Sequence, residues 1–133
     1  MSYAIDSSTI LLLLKNNESV CAKRDQVIKT GARLSIPPVV DYEIRRGFLY
    51  KPYPKKEKIY TSLVDHYGVG EMSTQSWRLA ARIYAELRNK GFTVGDADIL
   101  IASFCIVNEL TLVSTNTNHF EKINDLKLEN WAG

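Results

Sequence analysis

The stretch SYAIDSSTILLLL, residues 2–14, decides the fold. Tyr3-Ala4-Ile5 is a short apolar segment, Asp6 stands directly behind it, and Ile10–Leu14 is an uninterrupted apolar run. Ser2–Ile5 reads as a first strand, and Ser7 or Ser8 can cap a helix reaching about Lys15. A strand that passes straight into a buried helix is the opening of an α/β unit, so the rest of the chain is read for the same alternation.

Downstream, Val20–Thr30 reads as a second helix closed by Gly31, and Arg33–Ile36 as a short strand ended by Pro37-Pro38. Pro38 suits the first turn of a helix running through Val40, Ile44 and Phe48. Pro52 and Pro54 break that helix, and Lys55–Tyr67 forms the next. Val69–Met72 is expected as a strand. Ser73 caps a long helix ending near Lys90-Gly91, and Asp96 opens an apolar helix to about Asn108. Leu112–Ser114 reads as a strand, Asn118–Lys122 as a helical turn and Lys127–Glu129 as a last strand. Strands alternating with helices predict an α/β fold with a central, mostly parallel sheet covered by helices.

The whole chain sets bounds. Its 133 residues, 45% of them hydrophobic and 24% charged, fit one globular domain spanning residues 1–133. A net charge of +2 does not by itself imply nucleic-acid binding, which must come from local clustering. Ile10–Leu14 is too short to cross a bilayer and no basic segment precedes it, so neither a signal peptide nor a membrane anchor is expected. Cys21 and Cys105 lack metal or redox spacing and read as reduced core residues, consistent with a cytoplasmic protein.

Four acids raise a question of chemistry. In open parallel sheets functional groups gather beyond the carboxyl ends of the strands. Asp6 ends the first strand and points there, although it could equally cap the following helix. In VVDYEIRRGF, residues 39–48, Glu43 falls beside the apolar stripe of Val39, Val40, Ile44 and Phe48. It borders the core, or it pairs with Arg46 or Lys51 on the helix surface. In VGDADILIASFCI, residues 94–106, Asp96 is the natural N-cap and Asp98 lies in the first turn, facing elsewhere. Two ordinary helix-start acids would look the same. His119 and the cysteines have no compact spacing for zinc.

YAIDSS at 3–8, YEIRRG at 42–47, DADILIAS at 96–103, TLVSTNTNHFEKI at 111–123 and LKLENW at 126–131 follow in an order that resembles the PIN-domain ribonucleases. The chain is most similar to the VapC toxins of bacterial and archaeal toxin–antitoxin modules, and the resemblance covers essentially its full length. It implies an α/β/α sandwich and RNA cleavage with Mg²⁺ or Mn²⁺ held by acids. Carried over by position, the first acid falls on Asp6, the second on Glu43 and the third on Asp98. That assignment is chemically coherent. Phosphodiester hydrolysis needs an activated water and relief of negative charge, which a divalent cation bound by a few carboxylates supplies.

The chain also departs from the pattern. Ser7 fits it, whereas Ser8 stands where an amide is usual. The slot of a fourth acid holds His119, while Asn116 is retained and can orient a water or ligand through its amide oxygen. The loss of that carboxylate weakens a second metal site. His119 offers a general acid or a phosphate contact, though a single exposed histidine more often does neither. A catalytically weakened PIN fold that binds RNA or a partner without cutting is therefore the alternative reading. A phospho-acceptor receiver domain would need an acid pair at the first strand and a lysine ending a late one; neither is present.

Arg45, Arg46, Lys51, Lys55 and Lys56 concentrate positive charge between two helices, with Tyr50 and Tyr53 interleaved. Such a cluster suits RNA, or else is a solvated loop anchored by its tyrosines. Tyr50, Tyr53, Ile59, Tyr60, Leu63, Trp77, Ile83 and Tyr84 exceed what one small core needs, so some are expected in an exposed groove. The resemblance implies a VapB-like antitoxin for that groove, and a homodimer.

Overall fold

A computed structural model describes residues 1–133. Strand β1 (Ser2–Ile5) runs into helix α1 (Ser7–Leu14) and then α2 (Glu18–Lys29), β2 (Arg33–Ser35), α3 (Pro38–Tyr50) and α4 (Pro54–Tyr67). Next come α5 (Thr74–Asn89), α6 (Asp96–Val107), β3 (Thr111–Val113), α7 (Thr117–Phe120) and β4 (Leu128–Glu129). The starts of these helices carry legible signals. The Asn17 side chain accepts from the Val20 N–H at 3.1 Å, which begins α2 two residues before the expected point. Pro38 and Pro54 stand in the first turns of α3 and α4, where a missing N–H costs nothing. The Ser73 hydroxyl accepts from the Ser76 N–H at 3.0 Å.

The sheet has the order β2-β1-β3-β4 and every pair is parallel. Central β1 pairs Ala4 with Ser35 on one side and with Leu112 on the other. Covered on both faces, β1 and β3 need no polar alternation, and Ala4, Ile5, Leu112 and Val113 are fully buried. Each of the larger three contributes about 1.5–3 kcal/mol by leaving water. Ile10, Val20, Val40, Ile101 and Phe104 join them in one continuous core. No helix is long and apolar enough to cross a membrane.

Chain order explains where the site lies. From β1 the chain crosses to β2 on one side; from β2 it returns past β1 to β3 on the other. The connections diverge between β1 and β3, which opens a crevice at their carboxyl ends. Asp6 and Ser114 are the residues immediately beyond those two ends.

Two local expectations are corrected. Val69–Met72 is not a strand: only Val69 bridges to Ile36, through Ile36 N–H to Gly68 O at 3.0 Å and Gly70 N–H to Ile36 O at 2.9 Å. The Phe104 ring fills the space of a side chain at 70, where a Cβ would lie 2.3 Å from Cζ, so that only glycine fits there. At the start of α6 the N-cap is Gly95 rather than Asp96, which is the first helical residue. Cys21 and Cys105 are free thiols as expected, but only Cys105 belongs to the core, where burial pushes its thiol up; Cys21 is half-buried against it.

Candidate active site

Asp6 is the N-cap residue of α1 by backbone position, yet its side chain does not cap the helix. The carboxylate turns instead to the next strand, where the Ser114 hydroxyl donates to Oδ2 at 2.6 Å. Asp6 is only 3% exposed. Its backbone N–H donates to Val113 O at 2.9 Å and the Thr9 hydroxyl to the same carbonyl at 3.2 Å, so β1, α1 and β3 are clamped around it. Ser114 in turn accepts from the Asn116 N–H at 3.0 Å, and Ser8 accepts from the Thr115 N–H at 3.1 Å. Burial raises the Asp6 pKa above its ordinary value; hydrogen bonds from Ser114, the Ser7 backbone and Ser8 partly offset this, and the charge of Asp98 adds to it.

Glu43 sits on α3 between the buried Val40 and Ile44. Its Oε1 is the one buried side-chain polar atom in the protein without a hydrogen-bond partner. An unsatisfied buried acceptor costs about 1–3 kcal/mol, more if charged. Burial raises the Glu43 pKa, as do the nearby charges of Asp6 and Asp98, while Arg46 and the Ser7 hydroxyl ease it. Asp98, in the first turn of α6, has Oδ2 3.2 Å from His119 Nδ1. These two face a polar hollow of about 220 Å³ shared with Gly95, Asn118 and Lys122.

The fold thus brings Asp6, Glu43 and Asp98 into one electrostatic neighbourhood: Asp98 disfavours charge on both Asp6 and Glu43, and Asp6 disfavours it on Glu43. As the side chains stand, no three of the His, Cys, Asp and Glu residues are gathered closely enough to hold a metal ion. The donor set consists of hard carboxylate oxygens, one of them unsatisfied. That chemistry fits Mg²⁺ or Mn²⁺, which bind through a few carboxylates and keep several waters.

A model of the PIN domain family matches residues 3–126. The chain belongs to the PIN domain family. This PIN domain is 25% identical to ribonuclease VapC2 of Rickettsia felis over 98% of both chains. It is 24% identical to the tRNA(fMet)-specific endonuclease VapC of Salmonella typhimurium over 99% of both. Among solved structures, VapBC2 from Rickettsia felis bound to a DNA fragment from its promoter superposes with a TM-score of 0.91 at 25% identity, covering 98% of this chain and 99% of that one. VapBC-1 from nontypeable Haemophilus influenzae gives 0.88 at 22% identity, with both chains covered completely. The α/β expectation and the resemblance to VapC ribonucleases hold over the full length.

Other expected residues fall in different places around the PIN domain. Ser7 lies between Asp6 and Glu43. Asn116 adjoins Ser114 through its backbone, with an exposed side chain. Asp96 faces away, into a hollow with Trp77 and Tyr84. Arg45 is already engaged, its Nε donating to both Asp41 oxygens at 2.9 Å. Tyr60 holds the same carboxylate at 2.6 Å. Arg46, Lys51 and Lys56 instead rest over the rings of Tyr42, Tyr50 and Tyr53 at 5.0, 5.9 and 4.7 Å, and Lys55 is exposed without a partner. Ser114 was not singled out by sequence. Its signal was a hydroxyl following the apolar Leu112-Val113 directly, as Asp6 follows Ile5.

Proposed function

We propose that this PIN domain is a metal-dependent endoribonuclease, the toxin of a VapBC-like module, with Asp6, Glu43 and Asp98 as its cation-binding and catalytic acids. The observation that carries the reading is a pair of carboxylates beside the β1/β3 crevice, Asp6 buried and Glu43 half-buried with one buried, orphaned oxygen, both raised in pKa first by burial and further by Asp98. A purely structural core gains nothing from the unpartnered buried oxygen of Glu43, because an unsatisfied buried acceptor costs stability. Bound Mg²⁺ or Mn²⁺ would neutralise charge on the scissile phosphate and make a water more acidic. The chain's own residues do the rest. Ser114 and the Ser7 backbone hold Asp6 in place, Asp98 is steadied by His119, and Asn116 and His119 line the approach.

The whole-length similarity to ribonucleases named VapC supports RNA as the substrate, and the VapBC complexes among the structural neighbours support a VapB-like antitoxin as partner. A homodimer and a cytoplasmic location are part of the same proposal. The test is cleavage of a structured RNA by the purified protein with Mn²⁺. Cutting that stops with EDTA and in Asp98→Asn, with the fold retained, is the expected result; cutting that persists in both would refute it.

A second reading is favoured by two observations, the loose spacing of the acids and the imidazole on Asp98. It is a PIN fold that binds RNA or a partner without cutting. Tight RNA binding with no cleavage under Mg²⁺ or Mn²⁺ would select it.

A further inference from the structure

We infer that the hollow on the outer edge of β2 takes the carboxyl-terminal residue of a partner protein's extended tail, with its apolar side chain inside, its carboxylate on Arg33 and its backbone on Leu34. The hollow encloses about 400 Å³, a volume that suits a small ligand or a chain end. Ile28, Ala32, Leu34 and Tyr67 give it an apolar wall, and Arg33 and His66 stand beside them. Arg33 opens β2 and pairs with Ser2 at the start of β1, so the hollow lies at the amino ends of the parallel strands. Asp6 and Ser114 lie beyond the opposite ends, and the two places are separate.

The outer edge of β2 is only half paired. Arg33 N–H donates to Met1 O at 3.2 Å, so Arg33 and, two residues on, Ser35 turn their backbone groups toward β1. Leu34 and Ile36 turn theirs outward. Ile36 is met there, donating to Gly68 O at 3.0 Å and accepting from the Gly70 N–H at 2.9 Å. Leu34 faces the same side, and nothing outside the sheet ladder bonds to its N–H or C=O. An unpaired strand edge is a template for another chain. Gly68–Gly70 already occupies the place beside Ile36, and α4 ends directly before Gly68. A strand running the length of β2 would collide with them, so only a chain end fits beside Leu34.

Charge selects which end. The Arg33 guanidinium is exposed and has no carboxylate within 4.0 Å. His66 Nδ1 donates to Ser62 O at 2.8 Å, which leaves Nε2 free. No acid lines the hollow. The carbonyls that end α2 are already engaged, Val27 O by the Ala32 N–H at 3.1 Å and Ile28 O by the Gly31 N–H at 3.0 Å. A carboxylate matches the free guanidinium fork, whereas a terminal ammonium would meet it with like charge. RNA would find a single fixed cation here and leave the apolar wall unused.

Amide hydrogen exchange, followed by NMR on the wild type, tests the pairing without a substitution. The Leu34 amide is expected to exchange at least about tenfold faster than those of Arg33 and Ile36, and to slow about tenfold under a saturating hexapeptide that ends in leucine with a free carboxylate. Fluorescence anisotropy compares that peptide, labelled with fluorescein at its amino end, with its carboxamide and with the same peptide ending in serine. Each of the two is expected to bind about tenfold more weakly, the first for the lost charge and the second for the lost apolar burial. Arg33→Gln is expected to erase the difference between carboxylate and carboxamide. Circular dichroism verifies its fold, and the wild-type measurements decide alone if it does not fold. A Leu34 amide protected as strongly as Ile36 without peptide, equal affinity for the leucine peptide and either of its relatives, no binding at millimolar peptide, or a folded Arg33→Gln that still distinguishes carboxylate from carboxamide would each overturn the inference.

Discussion

Replacing Ser114 with alanine removes the one side-chain hydroxyl that donates to the Asp6 carboxylate within 3 Å, a buried bond of 2.6 Å. It also removes the acceptor for the Asn116 N–H. A hydrogen bond to a charged group is worth about 1.5–3 kcal/mol, so Ser114→Ala should lower the unfolding free energy by about that much above the folded-state pKa of Asp6. The loss should also depend on pH. Burial raises the Asp6 pKa above its ordinary value, so the folded state holds the proton more tightly than the unfolded chain. Its contribution to stability is therefore full below the ordinary carboxylate range and is lost as pH rises through the folded-state pKa. Ser114 counteracts that rise, and without it the Asp6 pKa climbs further. The difference between variant and wild type should then be smallest, near 1 kcal/mol, below the ordinary carboxylate range, where the bond joins two neutral groups, and should widen as pH rises through the folded-state pKa. Urea unfolding in EDTA across this range measures it, with Ser114→Thr as the variant that retains a hydroxyl. A loss under about 0.5 kcal/mol, or one flat with pH, would refute the role given to Ser114 in holding Asp6.

Gly70→Ala should destabilise the protein by about 1–3 kcal/mol, because its Cβ would meet the Phe104 ring at 2.3 Å; an unchanged urea midpoint would mean that the ring shifts freely. His119→Asp would place a carboxylate beside Asp98, where Nδ1 now lies 3.2 Å away. It should tighten Mn²⁺ binding about tenfold in isothermal titration, in line with the usual leverage of residues around a metal site, and unaltered affinity would show that His119 stands outside the site.

Much of the fold was readable because its signals are local. The apolar runs at 3–5 and 10–14, the first-turn prolines Pro38 and Pro54, and the cap Ser73 act over a few residues. What escaped depends on distant chain. Val69–Met72 has the composition of a strand, but only Val69 finds a partner, at Ile36, and Gly70 is packed under the Phe104 ring more than thirty residues on. Gly95 rather than Asp96 caps α6, a one-residue displacement that composition does not resolve. The candidate site divides the same way. Asp6 stood out as an acid at a strand end, whereas its choice of Ser114 over the helix follows from β3 pairing beside β1. The orphaned Oε1 of Glu43 is a tertiary fact that no spacing of residues encodes, whereas the engagement of Arg45 by Asp41 is an i,i+4 pair on one helix that the sequence does carry.

The central claim is that Asp6, Glu43 and Asp98 form one cation site. A crystal soaked in Mn²⁺, with diffraction recorded for anomalous scattering from manganese, tests it most directly. The account expects a peak in the β1/β3 crevice at about 2.0–2.3 Å from carboxylate oxygens of Asp6 and Asp98, with Glu43 reaching it directly or through water. A crevice without a peak at saturating Mn²⁺, or a peak bound elsewhere while the three carboxylates stay apart, would contradict it.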